Sequence, residues 1–211
     1  MNSSNHNGLF LLLFSMLMFS CANSQEKDLR LVGGSCEGCD AILEYGDRKL
    51  DNSDTLPEFD QSQNKLKLSG TIYESDGKTP AEGVILYIHH TNAAGIYPTR
   101  GDEKGWAKRH GYLRGWIETG PDGKYTFYTQ IPGTYPSRTD PAHIHPFLLE
   151  PDGKYYWLET LLFEGDTLLT ERHHSQNPRG TSSGILKPVQ EGQIKWATVD
   201  FVLGKNIEDY D

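Results

Sequence analysis

The chain is short of basic charge, of helical periodicity and of cysteine. Lys and Arg number 20 against 29 Asp and Glu, a net charge of −9, and the basic residues form no stripe. Phosphate is repelled by such a surface, which excludes nucleic acid as an expected partner. No window past residue 65 repeats its apolar residues every three or four positions, so a helical domain is excluded as well. Cysteine occurs only 3 times. No second Cys-x-x-Cys exists to complete a zinc site with Cys36-Glu37-Gly38-Cys39. Nor is there a helix N-terminus or βαβ context that would make the pair a redox centre. A local disulfide between Cys36 and Cys39 is the favoured reading, with the redox and metal readings as alternatives. The apolar run at residues 9–19 is too short, at about eleven residues, to cross a bilayer.

That run has the length of a signal-peptide core. It leads into Met18-Phe19-Ser20-Cys21, which resembles a bacterial lipobox, where cleavage before the cysteine leaves a lipidated N-terminus. The expectation is an exported lipoprotein, in the periplasm or at the cell surface, that touches the membrane only through an anchor on Cys21. An ordinary secretory signal is the alternative. Residues 1–21 are therefore set aside as signal, residues 22–64, rich in Asp, Ser, Gly and Asn, as a linker with a stapled Cys-x-x-Cys patch, with packing on the domain as the alternative, and residues 206–211 as a tail.

What is present between them, at residues 65–205, is a series of short β-prone runs separated by turn signals. Strands are expected over 65–73, 84–90, 114–118, 124–130, 142–150, 156–163 and 196–203. Ser75-Asp76-Gly77-Lys78, Pro121-Asp122-Gly123-Lys124 and Pro151-Asp152-Gly153-Lys154 supply Asp-Gly turns. Tyr125, Phe127 and Thr129 alternate with Thr126, Tyr128 and Gln130, so that one face buries. The fold class is all-β, an antiparallel β-sandwich with long loops. The polar loop at 93–112 is the expected pocket wall, with Tyr97, Trp106 and Tyr112 as aromatic contacts; plain packing is the alternative for the last two.

The chemistry-bearing pattern is His143-Ile144-His145 with Tyr135 upstream and Tyr97 earlier. Residues i and i+2 of a strand share a face about 7 Å apart, close enough for two imidazoles to chelate. Imidazole alone does not name the metal. Phenol, with a pKa of about 10, ligates only an ion acid enough to displace its proton, and the resulting hard oxygen favours Fe(III). Two His and two Tyr make a ferric set; an accidental pair of strand histidines is the alternative. Of the other histidine pairs, His89-His90 reads as hydrogen-bonded strand residues, one of which could approach the site. His173-His174 reads as surface, with Arg172 and Arg179 able to reach a pocket mouth.

Residues 66–170 resemble the intradiol ring-cleavage dioxygenases, the family of protocatechuate 3,4-dioxygenase and catechol 1,2-dioxygenase. The resemblance is carried, in the family's order, by Asn92-Ala93-Ala94-Gly95-Ile96-Tyr97, Ile131-Pro132-Gly133-Thr134-Tyr135-Pro136, Pro141-Ala142-His143-Ile144-His145 and Leu162-Phe163-Glu164-Gly165-Asp166. It implies Fe(III) held by Tyr97, Tyr135, His143 and His145, with no organic cofactor. It also implies O2-dependent ring cleavage of a catechol-type aromatic, as in the catabolism of aromatic compounds, Tyr135 being the ligand that gives way to substrate. Two positions depart from the pattern. Asp140 stands where the family has the arginine thought to stabilise the carbanion-like substrate, and Thr160 stands where it often has a glutamine contacting that arginine. A carboxylate there opposes developing negative charge. Arg138 is one candidate to offset it, and Arg100, Arg109 and Arg114 are others; solvated surface charge is the alternative, at least as favoured, for all four. Asp140 and Thr160 keep a second reading open, a metal- and ligand-binding sandwich lipoprotein without turnover, since transthyretin-like and carbohydrate-binding sandwiches share the strand pattern.

Overall fold

The computed structural model describes residues 28–174 and 177–211; the signal and the lipidation expectation at Cys21 lie outside them. In chain order the strands are β1 (Arg30–Leu31), β2 (Ser53–Thr55), β3 (Lys65–Tyr73), β4 (Ile85–His90), β5 (Arg114–Glu118), β6 (Lys124–Gln130) and β7 (His143–Leu149). They continue with β8 (Lys154–Trp157), β9 (Leu161–Phe163), β10 (Ile185–Leu186), β11 (Val189–Glu191), β12 (Ile194–Thr198) and β13 (Phe201–Val202). One sheet runs β1-β8-β7-β4-β5, with β9 on β7 and β10 on β9; the other runs β11-β12-β3-β6-β2, with β13 on β3. Between them lies a core that includes Leu68, Ile72, Leu86, Ile88, Phe127 and Ile144.

The all-β reading holds, but antiparallel describes only part of it. The pairs β3–β6, β4–β5, β4–β7 and β7–β8 are antiparallel. Five pairs among the described residues are parallel: β1 with β8, β2 with β6, β10 with β9, and both β12 and β13 with β3. The expected strand at 156–163 is two, because Leu158 and Glu159 leave the ladder and bond instead to the carbonyls of Pro146 and Arg179. The one at 196–203 likewise splits into β12 and β13.

The linker expectation for 22–64 is corrected over residues 28–64, which are built into the domain. Besides contributing β1 and β2, this stretch forms a 3-10 helix, Cys39–Tyr45, whose Cys39, Ala41 and Ile42 are buried. They pack on Ile85, Tyr87, Trp116, Phe147 and Leu149, the outward face of β4, β5 and β7. That face is apolar and has to be covered by something. Trp116 Nε1 donates to the Ile42 carbonyl at 3.0 Å in a buried hydrogen bond, and Arg114 pairs with Glu44 at 2.5 Å, half sheltered. Cys36 and Cys39 are joined as a disulfide with Cα atoms 5.7 Å apart. The tail also packs: Ile207 is buried, and the Tyr210 hydroxyl donates to Glu150 at 2.9 Å.

Candidate functional site

β4 and β7 lie side by side in a register that places His89 opposite His145 and His90 opposite Ile144. At this end of the sheet two loops meet, one carrying Tyr97 and the other Tyr135. Gly133 N donates to the Asn92 carbonyl at 2.9 Å, and the Asn92 side chain accepts from the amides of Ala94 and Ile96. Their approach requires glycine. A Cβ on Gly95, whose φ is +75°, would lie 1.7 Å from the Thr134 carbonyl oxygen, and one on Gly133 would lie 2.3 Å from that of Ala93.

The side chains so delivered form a continuous string. The Tyr97 and Tyr135 hydroxyls are 2.9 Å apart, and Tyr135 Oη is 3.0 Å from His143 Nε2. His143 Nδ1 lies 2.6 Å from the Pro141 carbonyl and therefore carries the proton. Its Nε2 is thereby left as an acceptor turned to the phenols. The His145 ring stands edge-on to that of His143, with centroids 4.6 Å apart. Burial, followed by the neighbouring His143, holds His145 down to about 3. The Tyr97 phenol is pushed up by burial and by the hydrogen bond to Tyr135, so only a strongly acidic cation would ionise it. Among the described residues no three or more His, Cys, Asp or Glu are grouped to hold a metal. A metal at this place has to draw on the phenolic oxygens, and the four donors fit a hard trivalent ion.

Tyr135, His143 and His145 border a cavity of about 400 Å3. Asp140, Glu159, Thr160 and Leu162 complete its wall, and Arg172 and His173 reach it from a single 3-10 turn, Glu171–His173. Asp140 and Thr160 thus share one cavity with three of the expected ligands. Arg138 does not: it is exposed, held in a turn by its own amide on the Tyr135 carbonyl with φ +52°, and lies off the cavity wall. The other candidate arginines are engaged elsewhere. Arg100 lies over the Tyr112 ring, Arg109 pairs with Glu37, and Arg114 pairs with Glu44. Trp106 and Tyr112 stand off the wall too, Trp106 against His110 and Tyr112 bonded to Glu58.

The histidine pairs divide unexpectedly. His90 is bonded as expected: Nδ1 donates to the Thr91 carbonyl at 2.7 Å, and Nε2 accepts from the Thr129 hydroxyl at 2.6 Å across the two sheets. His89 is buried with no partner for Nδ1 and stacks between His110 at 3.7 Å and His145 at 4.8 Å. His110, which shares a 2.8 Å hydrogen bond with Tyr87 Oη, carries no sequence signal; it comes from the 93–112 loop and meets β4 only in three dimensions. His173, read as surface, is half-buried on the cavity.

The Dioxygenase family model matches residues 45–181. Catechol 1,2-dioxygenase 1 of Acinetobacter lwoffii is 31% identical over a 128-residue alignment that covers 52% of this chain and 39% of that relative, so the chain spans about two fifths of its length. The dioxygenase domain of a dioxygenase carbohydrate-binding protein fusion from Streptomyces sp. SirexAA-E is 26% identical, with a TM-score of 0.53 over 76% of this chain and 94% of that one. Catechol 1,2 dioxygenase of Acinetobacter radioresistens, 18% identical with a TM-score of 0.55 over 79% of this chain and 62% of that one, shares the fold. With the family model covering well over half of its residues, the chain belongs to the intradiol ring-cleavage dioxygenase family.

Proposed function

We propose that the protein is a non-haem Fe(III) dioxygenase that uses O2 to cleave a catechol-type ring between its two hydroxylated carbons, with Tyr97, Tyr135, His143 and His145 as the metal ligands. The observation that supports this is the contiguity of two phenolic oxygens and one imidazole nitrogen at 2.9 and 3.0 Å, with a second imidazole alongside. A ferric ion bound there supplies Lewis acidity and a template for diol and dioxygen. The residues around it do the rest. Pro141 fixes the His143 tautomer so that Nε2 faces the site. Tyr135, half-buried on the cavity wall, is the phenol placed to yield to substrate, and its oxygen can take a proton from the incoming diol. Leu162 and Pro141 offer an apolar wall against the ring. Asp140 opposes developing negative charge, and Arg172, the basic side chain on the cavity besides the histidines, is placed to offset it.

Export, with a lipid anchor on Cys21, belongs to the same proposal; the Cys36–Cys39 disulfide supports an oxidising compartment. The test is metal analysis with a visible spectrum and O2 uptake on catechol. The iron-loaded protein is expected to show a tyrosinate-to-iron charge-transfer band, and Tyr97→Phe or Tyr135→Phe to lower activity by about two orders of magnitude or more and to weaken and shift that band, each variant keeping one tyrosinate. A colourless iron-loaded protein, or unchanged metal content in both variants, would overturn the ligand set. One observation, Asp140 on the cavity wall, favours a second reading in which the site binds without turnover. Ligand-induced spectral shifts without O2 uptake would select it.

A further inference from the structure

A second cavity, of about 290 Å3, adjoins the first and shares His145 and Thr160 with it. Its walls are Pro146, Phe147, Trp157 and Leu158, and Cys36 borders it from the disulfide-closed loop. We propose that the two cavities are the arms of one bent substrate groove, and that the second arm receives a planar aromatic substituent carried by the ring bound in the first. The substrate is then a two-ring catechol rather than catechol itself. This rests on the reading of the first cavity as the ring-cleavage site.

The junction is the first argument. Thr160 lines both arms, a short β-branched side chain where the family resemblance leads to glutamine, and a long amide there would intrude where the two arms meet. The second arm is also preformed, which spares a ligand the cost of ordering it. Phe147 and Leu158 are buried. The Trp157 ring is held by the Arg179 guanidinium, which sits 3.6 Å from its centroid, and by Arg179 Nε donating to the Trp157 carbonyl at 3.1 Å. Arg179 does not line the arm, which leaves the indole available to a flat ligand. The loop bearing Cys36 is footed in the buried Cys39, Ala41 and Ile42. Glu37, at the same border, is paired with Arg109, which sets the arm for a neutral substituent. Together the arms have the size that encloses a two-ring ligand, where the first alone suits one ring.

The experiment compares catechol with 4-phenylcatechol on the full chain, by calorimetric titration of the metal-free protein and by O2 uptake of the iron-loaded protein. 4-Phenylcatechol is expected to be favoured about tenfold in Kd and in kcat/KM, the value of one good aromatic contact. The preference should fall toward unity in Trp157→Ala and in Thr160→Gln, and Trp157→Phe should restore part of it; melting curves check that each variant is folded. Equal binding of the two probes, or a preference that survives both Trp157→Ala and Thr160→Gln, would overturn the groove. If neither probe is cleaved but the binding preference is present and drops in the variants, the ring-cleavage reading fails and the groove stands. If catechol is turned over with no preference, the reverse holds.

Discussion

β4 and β6 are both flanked by partners in their sheets, yet they meet their surroundings differently. β6 alternates: Tyr125, Phe127 and Thr129 are buried, while Thr126 and Tyr128 are half-exposed. β4 is buried at all 6 residues, Leu86 and Ile88 within the sandwich and Ile85 and Tyr87 beneath the Cys39–Tyr45 helix. One sheet therefore keeps a wet outer face and the other is covered on both sides. The candidate site lies on the covered sheet. Burial there favours the neutral form of His89, His90, His110 and His145, and the polar atoms that shielding would strand are paired through Thr91, Thr129, Pro141 and Tyr87. His89 Nδ1 is the exception, a buried nitrogen left without a partner against His145.

The comparison breaks if the cover contributes nothing. Phe147→Ala, which hollows the packing between helix and sheet, is expected to cost about 3–5 kcal/mol in urea unfolding; a loss under 1 kcal/mol would mean that the covered face behaves as surface. It sharpens with pH. Burial is the main cause that holds His90 at about 4 against 6.5 in the unfolded chain. The unfolded state then binds the proton more readily, so the stability contributed by neutral His90 is complete above pH 6.5 and is lost as pH falls through about 4. The contribution amounts to at most about 3 kcal/mol. His110 and His145, also pushed down by burial to about 4 and about 3, add to the same decline. In stability measured from pH 7 to pH 4, His90→Gln should lower the plateau and flatten part of the slope; a slope identical to that of the unsubstituted chain would remove His90 from the account. The smallest effect belongs to the wet sheet. Val189 is 67% exposed at its edge, and Val189→Thr should change stability by no more than about 0.5 kcal/mol. A larger loss would show that this edge is covered in solution.

Much of the sandwich was legible because alternation and Asp-Gly turns are local. β3, β5 and β6 fall at the residues expected, and β4 and β7 differ by a residue at their ends. What escaped is what depends on distant partners. β1, β2, β10 and β11 are two- or three-residue strands that exist because an edge is waiting for them, and so short a run has no period to read. The polarity of residues 28–64 suggested a tether, but Ala41-Ile42-Leu43 is enough to cap an apolar face. At the site, residue type suggested a metal pattern, the family resemblance singled out Tyr97, Tyr135, His143 and His145, and the backbone brings all four together. Arg138, weighed between compensating cation and solvated surface charge, proves to be surface, because two residues of separation from Asp140 say nothing about which side of a turn a guanidinium leaves from.

By itself the sequence determined the strand periodicity, the acidic surface and the chemical character of the donors, all properties of side chains and their near neighbours. Tertiary structure alone decided that His89 rather than His90 lies against the donors, that Arg172 and His173 reach the cavity from a turn far along the chain, and that Thr160 borders two cavities, the second of which Cys36 also lines. Those outcomes depend on register across strands and on which segments fill an exposed apolar face. Register and coverage are settled by contacts between residues far apart in the chain, and local pattern carries no record of them.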